Sequence, residues 1–221
     1  MSRLWVHSLM VMTILASAAA RAESVIYIDQ TGDNFVLTAT QAGDGNSMGT
    51  SQTDLQFYGD DNTVTLYQSG DNNSMSAVVV GDNNTVDLKQ VGSNNTTSLT
   101  CNAPGACGGN SVTAWVTGDG NSTTVTVSNS NNTLVSDLTG DNNTASISMA
   151  SLGGSMSITV AGSGNSLTFS QSGAPTTGHS ATLSHTGDTG TFSVTQSGAA
   201  TKTFSMTTVG NNVAVTVTQS D

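Results

Sequence analysis

Gly70-Asp71-Asn72-Asn73-Ser74-Met75-Ser76-Ala77-Val78-Val79-Val80 is followed at once by Gly81-Asp82-Asn83-Asn84-Thr85-Val86-Asp87-Leu88-Lys89-Gln90-Val91, and these two eleven-residue units decide the fold. The first four residues of each are turn chemistry. Gly and Asn tolerate left-handed backbone angles, and Asp and Asn side chains bond nearby backbone N–H groups. The seven residues that follow alternate, the period of a strand with one face in and one face out.

Outward from this pair the unit recurs along the chain. Turns start at Gly59, Gly70, Gly81 and Gly92, eleven residues apart, and again at Cys107, Gly118, Asn129, Gly140, Ser151 and Gly162. Thr176, Gly187, Gly198 and Gly210 continue the series, the last step being twelve. Short insertions fall between Gly43 and Gly59, around Ala103–Ala106 and around Pro175. A fixed period of this kind marks a repeat architecture, in which each unit buries its apolar face against its neighbours.

Counting the turn glycine as position 1, the inward strand slots are 6, 8 and 10. They hold Ile26, Ile28 and Gln30 in the first unit, Val86, Leu88 and Gln90 in a middle one, and Val215, Val217 and Gln219 in the last. No Asp, Glu, Lys or Arg falls in an inward slot; Asp29, Asp87, Lys89 and Asp137 all sit at 7 or 9. That sorting is what a dry interior demands, because an unpaired buried charge is very costly. The expected fold is all-β, a β-solenoid of about 17 short strands with two units per rung and roughly eight rungs, about 4.8 Å apart.

In such a coil identical positions stack on themselves. Asn at turn position 4 recurs at Asn46, Asn62, Asn73, Asn84, Asn95, Asn110, Asn121, Asn132, Asn143 and Asn165, and Gln at position 10 at Gln30, Gln41, Gln52, Gln68, Gln90, Gln171, Gln196 and Gln219. Stacked amides bond along the axis and satisfy one another, which explains a polar residue at an inward slot. The two ends, Val25, Ile26 and Ile28 at one and Val215 and Val217 at the other, are β-prone and nearly uncharged, without the caps or prolines that blunt open edges. They are expected to be polymerising strands.

Residues 1–22 read as a secretory signal peptide: Arg3, an apolar core from Leu4 to Ala16, and the small-x-small site Ala20-Arg21-Ala22. Its core is too short to span a bilayer, so residues 23–221 are expected to be the exported repeat domain. Those residues hold all fifteen acids and, as bases, only Lys89 and Lys202. Nucleic acid and anionic membranes are therefore poor partners.

Cys101 and Cys107 bracket an insertion, and in an oxidising compartment a disulfide closing that loop is the expected reading, a pair of free thiols the alternative. Metal binding fits poorly, since no nearby His completes a ligand set. The Asp-rich turns raise calcium, but an Asx-turn explains them. His179 and His185, near Ser180 and Ser184, lack a nucleophile elbow, and a repeat offers no unique concave site, so neither an enzyme nor a cofactor is expected. Thr-rich strands suggest an ice-binding solenoid, which Tyr67, Val78, Lys89, Trp115 and Asp137 would interrupt; a monomeric adhesin is the other alternative.

Gln41-Ala42-Gly43-Asp44-Gly45-Asn46, Gln68-Ser69-Gly70-Asp71-Asn72-Asn73 and Gln90-Val91-Gly92-Ser93-Asn94-Asn95 resemble the Q-x-G-x-x-N core of curlin repeats. The resemblance runs, with drift, over nearly all of residues 25–219. It implies a subunit of curli, the amyloid fibres of bacterial surfaces and biofilm matrix. It further implies self-association as the main partnership, a nucleator subunit, outer-membrane secretion machinery, and an extracellular location reached through the periplasm. The chain departs from the family pattern in three ways. The Ala two residues after the Asn occurs at Ala145 and almost nowhere else. The Gln slot holds Val116, Val127, Leu138, Met149 and Val160 in the middle third. A polar targeting stretch before the first repeat is missing.

Overall fold

The computed structural model describes residues 11–17, 24–49, 55–101, 107–173 and 178–221. The strands in chain order are β1 (Val11–Ser17), β2 (Val25–Ile26), β3 (Ile28–Thr31), β4 (Val36–Ala42), β5 (Ser47–Met48), β6 (Leu55–Tyr58) and β7 (Thr63–Ser69). There follow β8 (Ser74–Val80), β9 (Thr85–Val91), β10 (Thr96–Cys101), β11 (Ser111–Thr117), β12 (Ser122–Val127), β13 (Thr133–Thr139) and β14 (Thr144–Ser151). The series closes with β15 (Ser155–Ala161), β16 (Ser166–Gly173), β17 (Ser180–Thr186), β18 (Thr191–Gln196), β19 (Thr203–Val209) and β20 (Ala214–Gln219).

Successive strands alternate between two parallel sheets. The first runs β1-β4-β7-β9-β11-β13-β15-β17-β19, the second β2-β5-β8-β10-β12-β14-β16-β18-β20, with β3 and β6 completing the second sheet's first two positions. Equal unit positions pair across rungs: Val64 with Val86, Leu66 with Leu88, Gln68 with Gln90. The chain is thus an all-β solenoid, the fold that the eleven-residue period predicts. Tyr27 interrupts the first strand of the second sheet, so the single strand expected from Val25 is β2 and β3.

The inward slots fill the space between the sheets. Val64, Leu66 and Gln68 are buried while Thr63 and Thr65 are exposed, and the same alternation recurs rung after rung. The core is a narrow column of Leu, Val, Ile, Met and Phe, with Phe35, Phe57, Phe169 and Phe192 its largest members. Thr97, Thr123 and Ser136 also lie inside it.

The turns explain their composition. Gly70 has φ 108°, and a Cβ there would lie 2.0 Å from the Gly92 carbonyl oxygen on the next rung, so the glycines stack too closely for any side chain. Asn72, two residues on, is left-handed at φ 57°, which Asn tolerates. The turn aspartates depart from the Asx-turn expectation. Asp60 Oδ1 accepts from the Asp33 N–H at 2.7 Å, and Asp82 Oδ1 from the Asp60 N–H at 2.8 Å. Asp119 and Asp141 do the same for Ser93 and Asp119. Each carboxylate ties its turn to the rung before it, a contact that spacing within one unit does not reveal.

Candidate functional site: amide columns and open strand edges

The Asn column at turn position 4 splits in two because alternate turns lie on opposite edges of the coil. One column runs Asn46, Asn73, Asn95, Asn121, Asn143, Asn165, the other Asn62, Asn84, Asn110, Asn132; all ten are buried. The backbone N–H and Nδ2 of Asn73 both donate to Asn46 Oδ1, at 3.0 and 3.1 Å, and Asn73 Nδ2 also donates to the Gly92 carbonyl at 2.7 Å. Asn84 repeats this on Asn62. Asn73 in turn ties itself to the following rung, its Nδ2 donating to the Gly92 carbonyl and its Oδ1 accepting the Asn95 N–H. A buried amide so satisfied stabilises the stack, whereas an unpaired one costs about 1–3 kcal/mol.

Gln at position 10 forms two shorter columns. In the first sheet Gln41 Nε2 donates to Gln68 Oε1 at 3.0 Å, and Gln68 Nε2 to Gln90 Oε1 at 2.8 Å. In the second sheet Gln171 Nε2 donates to Gln196 Oε1, and Gln196 Nε2 to Gln219 Oε1, both at 2.8 Å. Donation therefore always runs toward the C-terminal end. Each column's first member keeps a buried acceptor without a donor, Gln41 Oε1 and Gln171 Oε1. Gln171 is paired with Met149 on the preceding rung, so its acceptor has nothing to meet.

Gln30 stands outside these columns. Its register neighbour is Phe57, and its amide turns back to the Gly32 carbonyl at 3.0 Å. Gln52 lies outside the described residues. Between the two Gln columns Val116, Val127, Leu138, Met149 and Val160 fill the slot, all buried.

His179 and His185 are buried in column positions. His179 takes the Asn position: its Nδ1 accepts the Lys202 N–H at 3.1 Å, while Nε2 lies 2.8 Å from the Ser172 carbonyl. His185 takes the Gln slot, with Nδ1 2.9 Å from Thr208 Oγ1. Cys101 and Cys107 are joined as a disulfide, Cα atoms 5.9 Å apart, and both are buried; Asn110 Nδ2 points at their sulfurs. Among the described residues no three His, Cys, Asp or Glu side chains converge as a metal site would require.

The ends differ from the middle. At the C-terminal end the inward residues Phe204, Met206, Val215 and Val217 are only partly covered. One turn there has a cover that the sequence did not suggest. The Asp221 carboxylate accepts from Lys202 Nζ and from the N–H groups of Ala199 and Ala200. The Lys202 ammonium foremost, then those N–H groups, hold its pKa down at about 2. At the N-terminal end Val25, Ile26 and Ile28 are half-buried on the second sheet, while β1 covers the edge of β4 on the first.

On the outer face of the first sheet, Tyr67, Lys89, Trp115 and Asp137 share one register position. Lys89 Nζ lies 5.7 Å from the Tyr67 ring centroid and 5.9 Å from that of Trp115. Spacing alone did not single out this stack.

Neither the curated proteins nor the solved structures contain a match to this chain. The family model described as the curlin associated repeat matches residues 59–92, the three strand-turn units that carry β7, β8 and β9.

Proposed function

We propose that this chain is the structural subunit of an extracellular, curli-type amyloid fibre, elongating when the last rung of one coil pairs with the first rung of the next. The observation that carries this reading is the pair of terminal rungs. Among the described residues no further strand lies beside β2 and β3 at one end or beside β19 and β20 at the other, and these strands present core positions in the register that runs through the coil. A free edge is a template for another strand, and one more rung extends the ladder without new geometry. Acidic turns along the sides keep such a fibre hydrated and oppose lateral clumping.

Export by the leader, adhesion and matrix formation, and the help of a nucleator and an outer-membrane secretion apparatus complete the reading; the curlin repeat at residues 59–92 supports them. The test is seeded conversion. Purified exported chain is expected to form thioflavin-positive, detergent-resistant filaments, faster with preformed seeds. A chain that stays soluble and monomeric with seeds present overturns the proposal.

A further inference from the structure

We propose that the edge of β4 is the docking site for β20 of a second copy of this chain, which sits turned by half a turn about the coil axis, and that β1 covers this edge until the leader is removed. The inference rests on the reading of the chain as a fibre subunit with a cleaved leader.

β1 pairs with β4 over seven residues, Val11 with Val36 through Ser17 with Ala42, and it lies wholly within the segment read as leader. Without it, the first sheet has eight strand positions, β4 to β19, and the second has nine. The coil then opens on β2 and β3, with no first-sheet strand across from them.

This odd half-rung dictates how copies can stack. Stacked without rotation, β2 and β3 of one copy lie on β20 of the other. An empty strand position is then left between β19 and β4, with unpaired backbone groups on both sides of it. Rotated by half a turn, β2 and β3 lie on β19, and β4 lies on β20. The coil continues without a gap. Both sheets use the same unit positions, so Leu37 falls on Val215, Ala39 on Val217 and Gln41 on Gln219.

The amide polarity agrees. Gln41 is 1% exposed and its Oε1 has no donor. β1 sets Ala16, a residue without an amide, at the paired position. Gln219 ends the second-sheet column, accepting from Gln196 and donating through Nε2 to the Thr203 carbonyl at 3.2 Å. Gln196 Nε2 donates to the Ser180 carbonyl with one N–H and to Gln219 Oε1 with the other; Gln219, in the same slot, has its second N–H left for an acceptor on a following rung. The half-turn arrangement delivers that N–H to Gln41 Oε1 and joins the two Gln columns through the junction.

The experiment uses the full chain exported from a bacterial host, with its N-terminus read by mass spectrometry. Filaments are grown from mixtures of single-cysteine variants and oxidised. T216C with T38C, facing neighbours in the half-turn arrangement, is expected to give a cross-linked dimer, and T216C with Y27C is expected to give none. The reverse result overturns the half-turn docking while leaving fibre formation standing. Absence of filaments overturns the fibre reading and the docking together. Electron cryomicroscopy of unsubstituted filaments is a second readout. A half-turn screw with a rise of about 41 Å, eight and a half rungs at about 4.8 Å each, supports the docking; a subunit repeat without rotation overturns it. A variant with the leader cleavage site blocked is expected to lose elongation on the β4 edge, and elongation equal to that of the cleaved chain overturns the role of β1.

Discussion

Gln196 donates from Nε2 to Oε1 of Gln219, 2.8 Å away and 23 residues further along the chain. The same amide accepts from Gln171, so one side chain holds three rungs together inside the core. Gln196→Leu keeps the volume and removes both bonds, leaving Gln219 Oε1 without its donor. The expected loss is about 1–3 kcal/mol, read as a lower denaturant midpoint of the monomer with an unchanged slope. An unchanged midpoint would show that the column does not contribute.

The glycine stack gives a contrast between two substitutions of the same kind. Gly70→Ala places a methyl 2.0 Å from the Gly92 carbonyl oxygen at φ 108° and is expected to cost at least about 3 kcal/mol. Gly153→Ala meets nothing within 4 Å at φ 65° and is expected to cost about 1–2 kcal/mol from the left-handed backbone alone. Thermal unfolding of the two variants checks the difference, and equal losses would contradict close stacking.

Lys89 between Tyr67 and Trp115 is a cation–π stack on an exposed face. Lys89→Met keeps the stem and removes the charge. The expected loss is about 0.5–1 kcal/mol, with a change in Trp115 fluorescence that Lys89→Arg does not produce.

Asp221 gives a pH dependence whose sign is fixed. Its pKa is lowered from 3.8 to about 2, with the Lys202 hydrogen bond the largest cause. The contribution of the carboxylate is therefore fully present above pH 3.8 and fades as the pH falls through about 2. The C-terminal turn at Ala199 and Ala200 is expected to open over that window, read by amide exchange of those two residues. D221N removes the window, and opening at unchanged pH in D221N would assign the transition to another group.

Much of this was legible in the sequence because a repeat states its register many times. The sorting of Asp87 and Lys89 to odd slots placed Val86, Leu88 and Gln90 inside, where they lie. The Asn residues after each turn were visible as a column, but not as two columns, since period alone does not say which edge of the coil a turn occupies. Gln30 misled because a slot fixes where a side chain starts and not what lies beside it; its neighbour is Phe57. The Asp-to-backbone ties, the stack of Lys89 on two rings and the Asp221 cover all join residues about 20 or more apart. Such contacts exist only once the rungs are laid on one another.

The central claim is that copies join strand to strand at their ends, and β20 offers the most direct test. The carbonyls of Val213 and Gln219 accept from the N–H groups of Thr191 and Ser197 on the β18 side. Odd residues of β20 therefore face β18, while Thr216 and Thr218 turn their backbone groups to the free edge. Thr216→Pro removes an edge N–H and leaves the bonds to β18 in place. Seeded elongation followed by thioflavin fluorescence is the measurement. The predicted result is a T216P chain that keeps its β-sheet circular dichroism, does not elongate, and stops wild-type growth when added in small amount. Elongation of T216P at the wild-type rate would contradict growth through the β20 edge.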